Sequence, residues 1–200
     1  MAGIQKYVVA AAVAAALIGA PTAAYGVSPG KAAHASAPSA PVIVRSAHAT
    51  PLSVAKTAPT ARIVAPGEHV VAPGGAEFWL TAEGKHWTMP GDPDPLFTSV
   101  VDGNIDLHTP GVSAYTEVSA DGHATLSGVY YGGTGTASRV TVRTTAGTLH
   151  GKLLELAGHP GWGVWYVSAD LPAGSVDGFE VRHIVVRDTE GEVYSRLDLS

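Results

Sequence analysis

One short run of the chain has the spacing of oxygen ligands in a calcium loop. Asp102, Asn104 and Asp106 alternate along the sequence, as the first ligands of such a loop do. The loop also requires a glycine and a terminal glutamate, and Leu107 and Ser113 stand at those positions. The three oxygen-bearing residues are therefore a calcium candidate, with an Asx-type turn as the alternative interpretation. No other cofactor is predicted.

Histidines are the second group that could perform chemistry. Seven follow residue 61, namely His69, His86, His108, His123, His150, His159 and His183. A metal or catalytic site would need several of them to meet across strands, because a pair such as Glu83 and His86 points to opposite faces of one strand. The sequence contains no serine-hydrolase elbow, zinc-protease motif or phosphate-binding loop. No catalytic residue is predicted, and a hydrolase whose His and Asp residues converge only in the fold is the alternative.

Three tryptophans are the candidate ligand-binding residues. Trp79 falls on the polar face of a predicted strand, Trp87 follows a Lys-His pair in a predicted loop, and Trp162 stands between two glycines. An exposed indole binds a sugar ring or a protein partner through stacking and apolar burial. The alternative is that these rings cover the open end of a core. Trp165 is predicted to lie in the core.

Alternation of apolar and polar residues with period two indicates β-strands through most of the chain after residue 61. In the run Glu77–Glu83 this alternation leaves Trp79 on the polar side. The last run predicts Val193 on the apolar face and Tyr194 on the opposite face. A change of face within one longer run predicts a β-bulge near Arg182–His183.

Turn signals recur between these runs, and no window shows a sustained helical period. The spacing predicts an all-β fold of roughly eight to ten short strands. The expected architecture is an antiparallel β-sandwich, immunoglobulin-like or related, that follows a disordered N-terminal linker.

The first 61 residues predict export and a tether. Lys6 precedes the apolar stretch Tyr7–Ala20, and small residues follow it, so residues 1–26 are predicted to be a cleaved signal peptide. Residues 27–61 are rich in Ala, Pro and Ser and are predicted to be a disordered linker. Residues 62–200 form the predicted domain. The protein is expected to be secreted without a stable membrane anchor, and an uncleaved signal that acts as an anchor is the alternative.

Composition and charge exclude several classes of protein. The chain has no cysteine, which rules out disulfide frameworks and zinc–thiolate sites. The formal charge is −5, but all 17 acidic residues lie at or after Glu68. An acidic domain repels phosphate backbones, so no nucleic-acid partner is expected. A glycan or a protein is the predicted partner, and a cationic or neutral surface suits the acidic domain best.

Several turn-rich runs occur in the second half of the sequence, namely 137–147, Gly161–Trp165, Leu171–Gly174 and Val185–Gly191. They resemble modules found in exported actinobacterial proteins, and the resemblance covers about a third of the chain. The modules are small β-sandwiches of unassigned function, so the resemblance implies a fold and a source but no site residues. The sequence as a whole predicts a secreted, non-enzymatic protein with a binding or structural role at the cell surface or in the extracellular space. A secreted hydrolase and a carbohydrate-binding module are the alternatives.

Overall fold

The computed structural model describes residues 58–199, in which every regular element is a β-strand. The predicted all-β class is therefore confirmed. The predicted signal peptide, and the predicted linker up to residue 57, lie outside the described residues. No described residue belongs to a helix that could cross a membrane. The strands are β1 (Arg62–Val64), β2 (Val70–Val71), β3 (Glu77–Thr81), β4 (Gly84–Met89), β5 (Asp92–Ser99), β6 (Gly111–Val112), β7 (Tyr115–Val118), β8 (His123–Tyr131), β9 (Ala137–Thr144), β10 (Gly147–His150), β11 (Lys152–Leu156), β12 (Trp162–Asp170), β13 (Val181–Asp188) and β14 (Val193–Asp198).

The strands form three sheets. The central sheet has the order β1-β11-β12-β8, and both β6 and β7 pair with the free edge of β8. The front sheet has the order β2-β3-β4-β5, and the back sheet has the order β10-β9-β13-β14. All pairs are antiparallel except β1 with β11. The fourteen strands exceed the eight to ten expected, since strands of two or three residues such as β1, β2 and β6 are too short to leave an alternating pattern.

The central sheet is buried on both of its faces. Trp165 and Val167 of β12 belong to the core shared with the back sheet, whereas Val164 and Tyr166 belong to the core shared with the front sheet. The predicted core position of Trp165 is confirmed, and its side chain is fully buried. The residues of β12 that alternate with Trp165 and Val167 are therefore buried in a second core rather than exposed to solvent.

Glycines in the central sheet make room for aromatic rings on the neighbouring strand. Gly128 lies directly opposite Trp165, and a Cβ atom at Gly128 would lie 1.8 Å from the Ser113 carbonyl oxygen and 2.6 Å from the Trp165 indole nitrogen. That indole donates a hydrogen bond of 3.0 Å to the same carbonyl. Gly163 is likewise opposite Tyr130, whose ring would lie 2.4 Å from an added Cβ. The two large rings therefore fit between the sheets only because the opposing residue has no side chain.

Two irregularities set the faces of the last strands. The register of β13 against β9 shifts at Arg182–His183, which confirms the predicted bulge. A second shift, between Val186 and Arg187 in the pairing with β14, was not predicted. It reverses the expected faces at the start of β14, so Tyr194 is buried and Val193 is 47% exposed. The predicted placement of those two residues is wrong.

Substitution of Gly128 by alanine should destabilise the domain strongly, because the new methyl group collides with the Ser113 carbonyl and displaces the Trp165 hydrogen bond. Overpacking and a lost buried hydrogen bond together cost about 2–5 kcal/mol of unfolding free energy. Gly174→Ala is the matched control, since no atom lies within 4 Å of a Cβ there and only the left-handed backbone of φ +81° is strained. It should cost about 1–2 kcal/mol. Urea unfolding followed by tryptophan fluorescence measures the unfolding free energy of both variants. An equal loss of unfolding free energy in the two variants would contradict the packing role of Gly128.

Candidate functional site

Four aromatic rings form a row across the solvent side of the front sheet. Phe78 is fully buried in the core, so its neighbour Trp79 points outward from β3. Trp79 lies opposite His86 of β4, and His86 lies opposite Phe97 of β5. His69, which directly precedes β2, stacks on the other side of Trp79. We call His69, Trp79, His86 and Phe97 the ring row.

The rings of the row stand on edge rather than lying flat on the sheet. The ring centroids of His69 and Trp79 are 4.2 Å apart, and those of Trp79 and His86 are 5.4 Å apart, each pair at an interplanar angle of 9°. The row ends at Phe97, whose centroid is 4.5 Å from that of His86 and which is 48% exposed. Because each face of the Trp79 indole carries an imidazole, a sugar ring has no open indole face on which to stack.

Polar side chains contact the two imidazoles of the ring row. The carboxylate oxygen Glu77 Oε2 lies 2.9 Å from His69 Nδ1, and the hydroxyl oxygen Thr81 Oγ1 lies 3.1 Å from His86 Nε2. Burial lowers the pKa of His86 below its ordinary value, and the nearby Glu83 carboxylate opposes that shift. His86 is therefore largely neutral at pH 7, and the charge beside the row is the negative charge of Glu77 and Glu83.

Two of the three predicted tryptophans are not accessible to a ligand. Trp87 is 5% exposed and Trp162 is 3% exposed, and both belong to the core between the front and central sheets. The expectation of an exposed indole is therefore wrong for these two residues. Trp87 lies within β4, one residue from the outward His86, so strand alternation turns it inward. Only Trp79 is partly exposed.

The calcium candidate is a pair of Asx turns in the exposed loop after β5. Asp102 accepts hydrogen bonds from the backbone and side-chain nitrogens of Asn104. Asp106 accepts hydrogen bonds from the His108 backbone and the Thr109 hydroxyl, which hold the pKa of its carboxyl below the ordinary value. Among residues 58–199 no three His, Asp or Glu side chains converge as metal ligands. The geometry agrees with the alternative interpretation and lends no support to calcium.

Three described histidines, His69, His123 and His183, have a carboxylate oxygen beside Nδ1 that could orient the ring as a general base, and His123 also lines a cavity. His123 Nδ1 lies 2.7 Å from Asp170 Oδ1, in the wall of a cavity of about 310 Å³ that Glu117 also lines. The other ring nitrogen, Nε2, is buried without a hydrogen-bond partner among the described residues. It faces Gly74, where an added Cβ would lie 2.0 Å away. The Ser119 hydroxyl, which lines the same cavity, is hydrogen-bonded to the Asp121 carboxylate and to the His123 backbone and not to the His123 ring.

Lys85 is a buried amine that the sequence analysis did not single out. Its side chain is 1% exposed, and its Nζ donates a hydrogen bond of 2.6 Å to the Ser127 hydroxyl of β8. Nζ also lies 3.8 Å from the centroid of the Trp87 ring. Burial lowers the pKa of Lys85 well below its ordinary value, and attraction to the aromatic face offsets part of that effect. The signal that the sequence offered is the spacing of Lys85 and Trp87, which lie two residues apart and therefore share one face of a strand.

Comparisons with known proteins add no further constraint on these sites. No family model, no curated protein and no solved structure matches the chain. The assignment of the ring row therefore depends on its geometry and its charge.

The stability of the protein should depend on pH through Lys85. Its pKa is lower in the folded than in the unfolded chain, so between that lowered value and about 10.5 only the unfolded chain binds the proton. The unfolding free energy of the native chain should therefore rise with pH relative to that of Lys85→Met, by up to about 1.4 kcal/mol per pH unit. Urea unfolding of both proteins from pH 7 to pH 10 measures the difference.

Lys152→Met is the control, because Lys152 is exposed. The difference in unfolding free energy between the native chain and Lys152→Met should stay nearly constant from pH 7 to pH 10. A constant difference for Lys85→Met as well would show that the amine has the same charge state in the folded and unfolded chains.

Proposed function

We propose that the protein is an exported, non-enzymatic binding module and that the ring row is its contact surface. The observation that carries this proposal is the row itself, a line of three stacked rings and a fourth, Phe97, tilted against His86, on the solvent side of the front sheet. Partly exposed aromatic side chains concentrated in one place are typical of binding surfaces. In the cavity beside His123 the Ser119 hydroxyl is bonded to Asp121 and to the backbone and not to the imidazole, so the hydrolase alternative has less support than the ring row.

The chemistry around the row favours a protein partner that presents arginine. The ring edges offer apolar surface for the aliphatic stem of a long cationic side chain. Its guanidinium then reaches Glu77 or Glu83, and an arginine can bind such a carboxylate through two parallel hydrogen bonds. A glycan that stacks on Trp79 is disfavoured, because both faces of the indole are covered.

We also infer the finer features of the fold and the location. The core that the central and back sheets share supports a sandwich of the immunoglobulin-like or a related kind, with the front sheet added to it. The apolar stretch after Lys6 supports export through a cleaved signal peptide. The protein would then act at the cell surface or in the extracellular space, in keeping with its resemblance to exported actinobacterial modules.

Binding of two synthetic peptides to the full chain tests the contact surface. One peptide is rich in arginine, and the other carries lysine at the same positions and hence the same charge. Attraction to a negatively charged domain alone would bind both equally, whereas two-point binding of carboxylates favours arginine. We expect the arginine peptide to bind more tightly, and Trp79→Ala to weaken it about tenfold, or about 1.4 kcal/mol. Isothermal titration calorimetry measures both effects.

Ile63→Ala is the matched control, since Ile63 is 55% exposed on β1, away from the front sheet. Its affinity for the arginine peptide should equal that of the native chain. Equal binding of the two peptides, or binding that Trp79→Ala leaves unchanged, would contradict the proposal. A panel of neutral polysaccharides measured in parallel would show whether a glycan is bound instead.

A further inference from the structure

The solvent side of the back sheet carries a cluster of arginines. Val140 and Val142 of β9 lie in the core, so the residues that alternate with them, Arg139 and Arg143, point outward and are exposed. By the same alternation β13 and β14 present Arg187 and Arg196. We call these four residues, Arg139, Arg143, Arg187 and Arg196, the arginine face.

The strand register brings like charges together on this face. Arg139 lies directly opposite Arg187, and a pair of like charges in that position is destabilising. Arg196 has a carboxylate nearby, with its Nε 3.5 Å from Asp198 Oδ2. Neither Arg139 nor Arg143 has an ion pair with any residue that the structure describes. The arginine face is therefore suited to an anionic partner.

Charge is segregated between the two outer layers of the domain. The stretch 65–100 contains the whole front sheet and holds five acidic residues. Its only lysine or arginine, Lys85, is buried. The exposed surface of the front layer is thus negative, whereas the solvent side of the back sheet is positive. The two surfaces lie on opposite sides of the central sheet, which packs against both outer sheets.

We infer that the ring row of one copy of this chain binds the arginine face of a second copy. This inference rests on the proposed function, because it names the partner of the same contact surface. The arginines supply the long cationic side chains that Glu77 and Glu83 attract, and Val193, which is 47% exposed on β14, supplies apolar surface near them. One molecule therefore carries both halves of a complementary pair.

The positions of the two surfaces determine the kind of assembly. They are different surfaces on opposite layers, so the contact is heterologous and a bound pair of copies leaves one surface of each kind free. Such contacts produce an open head-to-tail chain of copies rather than a closed dimer. The net negative charge of each copy opposes association at long range, but salt at about 0.15 M screens charges beyond about 8 Å and affects direct contacts less.

Two variants of the full chain, each with one surface disabled, test this assembly. R139E/R187E reverses the arginine face, and W79A/E83K removes the indole and one flanking carboxylate of the ring row. Sedimentation velocity of the native chain should show a series of oligomers that grows with concentration. Each variant alone should be monomeric, with association weakened at least tenfold. An equimolar mixture should form a one-to-one heterodimer and nothing larger, since each variant retains the surface that the other lacks.

The control K152E reverses an exposed basic residue of β11, outside both outer sheets, and should associate like the native chain. Circular dichroism checks that every variant folds, and the milder R139Q/R187Q replaces the reversal if it does not. A native chain that stays monomeric, a mixture that forms no heterodimer, or R139E/R187E that associates like the native chain would each overturn the inference. Tight binding of the arginine peptide by a monomeric native chain would leave the proposed function intact.

Discussion

The whole domain depends on a central sheet that has no solvent face. Its middle strands must fill two cores at once, so they present large side chains on both sides and leave little space between neighbouring strands. The contact between Trp165 and Gly128 solves this problem at one position. The indole lies across the glycine and donates its hydrogen bond to the Ser113 carbonyl, which satisfies the polar atom of the ring in the interior. The back sheet then packs against a surface whose shape the Trp165 ring helps to determine.

The ring row is a consequence of the front core. Phe78 and Trp87 must point inward to cover the central sheet, and alternation then turns Trp79 and His86 outward at matching positions of β3 and β4. Stacking between the outward rings adds cross-strand contacts that stabilise a sheet whose other face is already buried. Lys85 lies beneath this arrangement and joins the front sheet to β8 through Ser127. The contact surface and the core therefore share the same strand register.

Local patterns made part of this structure predictable. Alternation indicated the all-β class and the core position of Trp165, and a change of face within one run located the bulge at Arg182–His183. The third sheet was not predictable in this way, because alternation placed Trp165 on one face of β12 without indicating that Val164 and Tyr166 on the opposite face are buried in a second core. The ring row could not be predicted from the sequence either, since it requires residues of separate strands to lie opposite each other, and one sequence does not show which residues do. Of its four members, only Trp79 was a predicted ligand-binding residue.

The close fit of rings against glycines also restricts how the sequence can diverge. At position 128 a side chain is excluded whatever residue stands at position 165, because an added Cβ would lie 1.8 Å from the backbone carbonyl oxygen of Ser113. At position 163 the Tyr130 ring would lie 2.4 Å from an added Cβ, and the backbone carbonyl oxygen of Leu154 would lie 2.7 Å from it. Both glycines should therefore stay fixed even where the ring on the opposite strand changes. Two such glycines on neighbouring strands would remain recognisable in relatives too distant to align by overall identity.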